Sequence, residues 1–441
     1  MKKLTLFSLA WPILIETALF MALGFVDVFV LSQYNDLAAS SVNTANQAIA
    51  ICTLAFAILS SASAVLISQN LGANNRQAAS RIAALSITFN FAIGIIISAV
   101  LAIFSRQILS FIGARGEVLE FANEYLVIVG GFLFTQGLLN AISVIIRNHG
   151  YTRLSMYVTI IMNLTNTVLD VVFVLGLFGC PQLGVKGVAI ATSLSRFVGL
   201  IVLFAILFIK IEKPSIFKLL FPFPTKDLWK LIKVGVPSAF ESFNYNISQL
   251  VVTSIVLICL SETELIAKTY ISNITSFFYI FSVSIGQAAQ ILVAHLCGAH
   301  KYDEANKSCV RAFKAALVIA MGLEVIGIIF RYQLIGVFTQ NPDVIEMGAM
   351  LIILNIFVEI GRTINLTVIN CLRGAGDVFF PTGVAIFSMW IVSTLGSYIL
   401  AVVFGLGLNG LWIAFAADEC IRGALMLWRW KKGKWRSKSL V

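Results

Sequence analysis

An apolar run of roughly 20 residues recurs along this chain about twelve times, near 7–32, 40–70, 82–104, 122–146, 154–178, 186–209, 231–258, 266–295, 310–330, 346–370, 378–403 and 408–429. Each run is long enough to cross a hydrocarbon core of about 30 Å as a helix. Of 441 residues, 59% are hydrophobic and 12% charged, too little charge to cover a soluble protein of this length. A membrane β-barrel would show short alternating segments instead. The run after Lys2 and Lys3 outlasts a signal-peptide core and has no small-residue cleavage site. The expectation is an all-α, multi-pass membrane protein.

The charge pattern orients it. Lysine and arginine concentrate at the two termini and in the even-numbered loops, which places both termini in the cytoplasm and the chain in a plasma (inner) membrane. That clustering accounts for the net charge of +10 without a nucleic-acid partner. Seven cysteines, an odd number scattered without a CxxC spacing, read as free thiols. Three histidines without ligand-like spacing point to neither a catalytic metal nor a resident cofactor.

The chain repeats itself. "PILIE" (12–16) aligns with "PSAFE" (237–241), and "LGANNRQA" (71–78) with "CGAHKYDEA" (297–305). "RNHGY" (147–151) aligns with "RGAGD" (373–377), and "GVKGVAIA" (184–191) with "GLNGLWIA" (407–414). All four share an offset of about 225 residues. Six spans per unit is an even number, so both units enter from the same side, related by a pseudo-twofold axis along the membrane normal. The expected organisation is an N-terminal six-helix bundle over 1–209, a cytoplasmic linker over 210–230, a C-terminal bundle over 231–430 and a basic cytoplasmic tail over 431–441.

Ionisable groups within spans are costly, so they face a bundle interior or a watery cavity. Asp27 lies eleven residues after Glu16, about three helical turns, so the two share one face of span 1. In span 5, Asn166 and Asp170 are i,i+4 neighbours. If spans 1 and 5 touch, Asp27, Asn166 and Asp170 form an oxygen-lined pocket for a proton or for a hard cation such as Na+. The blander alternative is that they bond neighbouring helices; the spacing favours the ion site. At the repeat offset Asp27, Asn166 and Asp170 become Val252, Val392 and Gly396, so coupling is expected in the first half alone.

The second half carries a different polar stripe: Glu241, Asn244, Tyr245 and Ser248 in span 7, and Glu359, Arg362, Thr363 and Asn370 in span 10. Glu359 and Arg362 are i,i+3, which favours an internal salt bridge. Glu16 and Glu241 follow prolines at helix-start spacing. Their depth within the spans favours a cavity-facing role, with Pro12 and Pro237 as interior prolines that kink spans 1 and 7.

With these residues in place, the chain resembles the multidrug and toxic compound extrusion (MATE) family over essentially its whole length. "GFVD" ending at Asp27, "ISQNLGANNRQA", "NLTNTVLD" followed by "GVKGVAIAT", and "LRGAGD" carry the resemblance, in order. It implies a V-shaped pair of six-helix bundles that alternate access to a central cavity. It implies export of small organic, often cationic and aromatic compounds in exchange for H+ or Na+. Asp27, Asn166 and Asp170 match the family's first-half cation site, Thr192 fits a further oxygen ligand, and Pro12 matches the proline about which the first helix bends. Where many members carry an acid in span 7, this chain has Tyr245, with Glu241 a turn earlier; the span-10 acid is displaced to Glu359. A monomer in contact with membrane lipid is expected.

Two rival readings are weighed. A lipid-linked oligosaccharide flippase of the same superfamily would need a cationic cavity, whereas the midplane acids Glu16, Asp27, Asp170, Glu241 and Glu359 outnumber one obvious base, Arg362. A lipid-modifying membrane enzyme would show a loop-borne acid/base or metal cluster, which the sequence lacks.

Overall fold

The computed structural model describes residues 4–32 and 35–441. Among them every regular element is a helix. The first half runs α1 (Leu6–Ser32), α2 (Asp36–Gly72), α3 (Arg76–Ile112), α4 (Gly116–Gly131), α5 (Phe134–Asn148), α6 (Thr152–Leu175) and α7 (Val185–Ile206). The second runs α8 (Thr225–Cys259), α9 (Glu262–Gly298), α10 (Tyr302–Ile329), α11 (Arg331–Gly336), α12 (Pro342–Gly374), α13 (Phe379–Ser388), α14 (Gly396–Tyr398) and α15 (Gly407–Lys431). π-helical turns at Leu207–Ile211, Met389–Leu395 and Ile399–Val403 extend α7 and join α13 to α14 and beyond.

Ten of the described helices are long and apolar enough to cross a membrane. An eleventh crossing is the broken pair α4 and α5, bent by 47° where the sequence reads one span. The twelfth run of the sequence folds as α15, which has the length but holds Asp418, Glu419 and Arg422 within it. The twelve-span reading therefore stands, with one span broken and one heavily charged. α1 and α8 continue through Pro12 and Pro237. A proline ring removes one backbone N–H from each ladder, which weakens the helix locally.

The chain divides into two compact units. One comprises 11–71 and 75–236, the other 4–10, 72–74 and 237–441. The connection 210–230 belongs to the first. Its 3-10 turn Pro214–Leu220 buries Ile216, and Phe223 lies against Phe89 of α3 with ring centroids 6.4 Å apart. Ser80 Oγ of α3 donates to Glu212 at 2.6 Å, and Arg81 of α3 pairs with Asp227. A stretch rich in lysine and proline is thus fastened to α3.

Backbone details echo the repeat. Asn74 and His300, at equivalent places after α2 and α9, both take the left-handed conformation (φ +59° and +57°). Gly150 and Gly376 do so after α5 and α12, and Gly184 and Gly407, at the starts of α7 and α15, also have positive φ. Gly187 and Gly410 let the last helix of each unit cross the preceding one: a Cβ there would sit 2.9 Å from Phe173 O and 2.7 Å from Leu400 O. Such small-residue crossings bring helix backbones together where hydrocarbon gives no hydrophobic drive.

In the second unit α12 is central, packed by α9, α10 and α15. The tail does not hang free. Trp435, 1% exposed, stacks on Trp430 at 4.2 Å, and its indole N–H donates to Trp430 O at 2.9 Å.

Candidate functional site

In the first unit α1 and α6 bring Asp27, Asn166 and Asp170 together, all buried. Turned so that its nitrogen faces the carboxyls, the Asn166 amide donates to Asp27 Oδ1 and Asp170 Oδ2, 3.0 Å each. The far end of that amide lies 3.5 Å from Thr192 Oγ1 on α7. The sequence places Asn166 and Asp170 one turn apart, and the fold closes the third side with Asp27. Asp170 Oδ1 has no hydrogen-bond partner among the described residues.

Two further groups complete this cluster, and neither was expected from the sequence. Tyr125 of α4 is buried beside Thr192, and Arg196, one turn beyond Thr192 on α7, is close enough to Asp27 to act on its charge. An arginine in the middle of an apolar span was the signal available for Arg196.

Glu16 and Glu241 each meet an arginine. Glu16, 4% exposed, lies 3.7 Å from Arg147 and accepts from Ser155 Oγ at 3.1 Å. Glu241 accepts from Arg373 at 2.6 Å and from Thr382 Oγ1 at 3.3 Å. Arg147 and Arg373 open the matched stretches "RNHGY" and "RGAGD". The two glutamate motifs and the two arginine motifs thus form one ion pair per repeat.

The rest of the second-half stripe is split. Asn244 accepts from the Trp390 indole at 3.2 Å, Ser248 bonds Thr394 at 2.7 Å, and Tyr245 is 44% exposed. Glu359 is fully buried; Arg362 donates to it at 3.3 Å and also lies 3.7 Å from Glu419 of α15. The expected internal salt bridge is present, and it extends into a network. Arg422 holds Asp418 at 2.6 Å and Glu419 at 3.0 Å, Asn365 donates to Glu419 at 3.0 Å, and Ser388 donates to Asp418 at 2.5 Å.

These contacts correct one expectation. The buried acids do not face a single base: Arg147, Arg373 and Arg422 join Arg362 in ion pairs, and Arg196 acts on Asp27 from beyond ion-pair distance. Arg147 and Arg373 stand within the matched motifs yet meet their acids only through the fold, whereas Arg422 lies one turn from Asp418 and Glu419 on α15 itself.

Two repeated six-span halves with buried acidic clusters define a polytopic membrane transporter. The chain belongs to the MatE family, whose model matches residues 12–172 and 237–399, one segment in each half. Members of that family are transporters, so no enzymatic role attaches to the fold. It is 39% identical over 440 residues to the uncharacterized transporter YisQ of Bacillus subtilis (strain 168), covering 100% of this chain and 96% of the relative. It is 29% identical to the probable multidrug resistance protein NorM of Thermotoga maritima, covering 99% and 94%. Among solved structures, a MATE transporter in the bent conformation matches with a TM-score of 0.90 at 19% identity, over 99% of this chain and 96% of the other. A transporter of the MOP superfamily from Pyrococcus furiosus, described by the reversed polarity of its binding pocket, matches at 0.88 and 20% identity, over 98% and 96%. At such identities these structures establish the fold.

Proposed function

We propose that this protein is a secondary antiporter that exports organic cations, aromatic and drug-like, in exchange for H+ or Na+ bound at Asp27, Asn166, Asp170 and Thr192. The observation that carries this reading is the Asn166 amide held between two buried carboxyls. Two carboxylates that close cannot both stay ionised in a low dielectric without a cation, either a proton on one of them or a metal ion between them. The donor set is all oxygen apart from the amide nitrogen, which suits both H+ and Na+. A proton fits the amide as it stands. A sodium ion requires the Asn166 amide to turn by half a rotation, so that Oδ1 replaces Nδ2.

Substrate is assigned to Glu16 in the first unit and to Glu241, Asn244, Tyr245, Glu359 and Arg362 in the second. A cationic substrate would compete with Arg147 and Arg373 for Glu16 and Glu241, and aromatic compounds match the exposed face of Tyr245. Occupancy of the Asp27 site bends α1 about Pro12 and lowers substrate affinity, with Pro237 the equivalent weak point in α8; the coupling is reciprocal. The name carried by the Thermotoga relative supports the multidrug reading. Cytoplasmic termini, a plasma-membrane location and a monomeric state belong to the same proposal. The flippase alternative gains bases from these arginines, but the carboxylate partners of Arg147, Arg362, Arg373 and Arg422 leave those four poorly placed to grip a pyrophosphate.

Flux of a fluorescent organic cation in proteoliposomes, with pH and sodium gradients imposed separately, tests the proposal. One gradient is expected to drive uptake against concentration. Absence of uptake under both gradients would overturn the antiport.

A further inference from the structure

Glu324 belongs to none of the motifs above. It lies on α10 five residues before the helix ends at Ile329, about 8 Å of helix, and its side chain is 0% exposed. Asn355 Nδ2 donates to its Oε1 at 2.6 Å, and Oε2 has no hydrogen-bond partner. The geometry of that single bond is fixed from outside. Trp412 Nε1–H, which can only donate, points at Asn355 Oδ1 from 3.3 Å. The amide must therefore present oxygen to Trp412 and nitrogen to Glu324, which leaves Oε2 as the oxygen free to carry a proton.

The surroundings offer a carboxylate little else. Charged groups near enough to act on Glu324 are Glu359 and Arg362, both on α12, and Arg362 is already shared by Glu359 and Glu419. On the α9 side, Phe278 packs where a Cβ on Gly327 would go. Arg331, at the start of α11, points away to the Tyr332 ring at 4.7 Å and to Ile328 O at 2.9 Å. α15 supplies Trp412 to this contact. An ionised carboxylate here has one donor and a negative neighbour; a neutral carboxyl needs nothing more.

We propose that Glu324 is a proton-binding carboxyl of the second unit, exchanging H+ at Oε2, and that Asn355 and Trp412 form a fixed relay sensing its charge. When the proton leaves, the negative charge pulls on Arg362, the cation that otherwise braces Glu359 and Glu419. The site is separate from the Asp27 cluster and does not depend on the antiport reading.

Trp412 makes the proposal measurable. In purified protein in detergent, its emission is obtained as the difference between wild type and Trp412→Phe at each pH. The expected result is one titration of that component in wild type and its loss in Glu324→Gln, with Asp27→Asn unchanged. Acidifying a weakly buffered solution should also give one proton less bound per molecule in Glu324→Gln. A Trp412 component that does not titrate in wild type, or titrates alike in Glu324→Gln, overturns the proposal. Glu324→Gln copies the neutral form, so its failure to fold as a monodisperse species would overturn it equally.

Discussion

The two halves share a scaffold and solve the same electrostatic problem differently. In the first, Asp27 and Asp170 are bridged by a neutral amide, with Arg196 to one side. In the second, Glu359, Glu419 and Asp418 are threaded onto Arg362 and Arg422. A built-in guanidinium is a permanent counter-ion, and in the second network every carboxylate lies within 4 Å of one. Among the described residues neither carboxyl of the first cluster is in an ion pair, and the neutral Asn166 amide is what stands between them. The backbone differs at the same place. α6 is a regular α-helix through Asn166 and Asp170, whereas the equivalent Val392 lies within a π-helical stretch, Met389–Leu395, and Gly396 directly follows it. Such turns often mark functional departures from a regular helix.

The comparison breaks most visibly at Asp27. Asp27→Asn and Asp170→Asn are each expected to reduce coupled transport at least about tenfold while thermal stability in detergent is kept, since both remove charge from a crowded pair. Wild-type flux in either variant would erase the functional distinction between the halves. The second half should respond in the opposite sense. Arg422→Met strands Asp418 and Glu419 without their shared cation, and is expected to cost about 3–5 kcal/mol, read as a fall in melting temperature. The finest test lies in the ion pairs common to both halves. Double-mutant cycles to glutamine should give about 2 kcal/mol of coupling for Glu241 with Arg373, whose atoms are 2.6 Å apart, and about 1 kcal/mol for Glu16 with Arg147 at 3.7 Å. Equal couplings would mean that geometry does not separate the two pairs.

Much of this was legible in the residues. Span length and apolarity set twelve crossings, and the offset of the four motifs set two halves. The i,i+4 spacing of Asn166 and Asp170 announced one side of the cation cluster. Hidden from sequence was whatever depends on which helices touch: Arg147 lies 131 positions from Glu16 in the chain, and Arg373 lies 132 from Glu241. Periodicity reports the face of a single helix, and no spacing rule reaches across a bundle. The break between α4 and α5 was equally hidden, because Gly130, Gly131 and Phe132 sit inside an apolar run that reads as continuous. Asp418, Glu419 and Arg422 were visible as charges in span 12, yet their partners Arg362 and Ser388 come from other helices.

The tryptophan stack after α15 bears on how this protein is made. Trp435 closes over Trp430, and Lys438 O comes so near Gly376 that a Cβ there would lie 2.2 Å from it. Residues translated after every span thus complete packing around a turn made some sixty residues earlier. The second unit packs completely only once residue 438 has been made, so a chain stopped within α15 would leave the Trp430 ring and the turn at Gly376 uncovered.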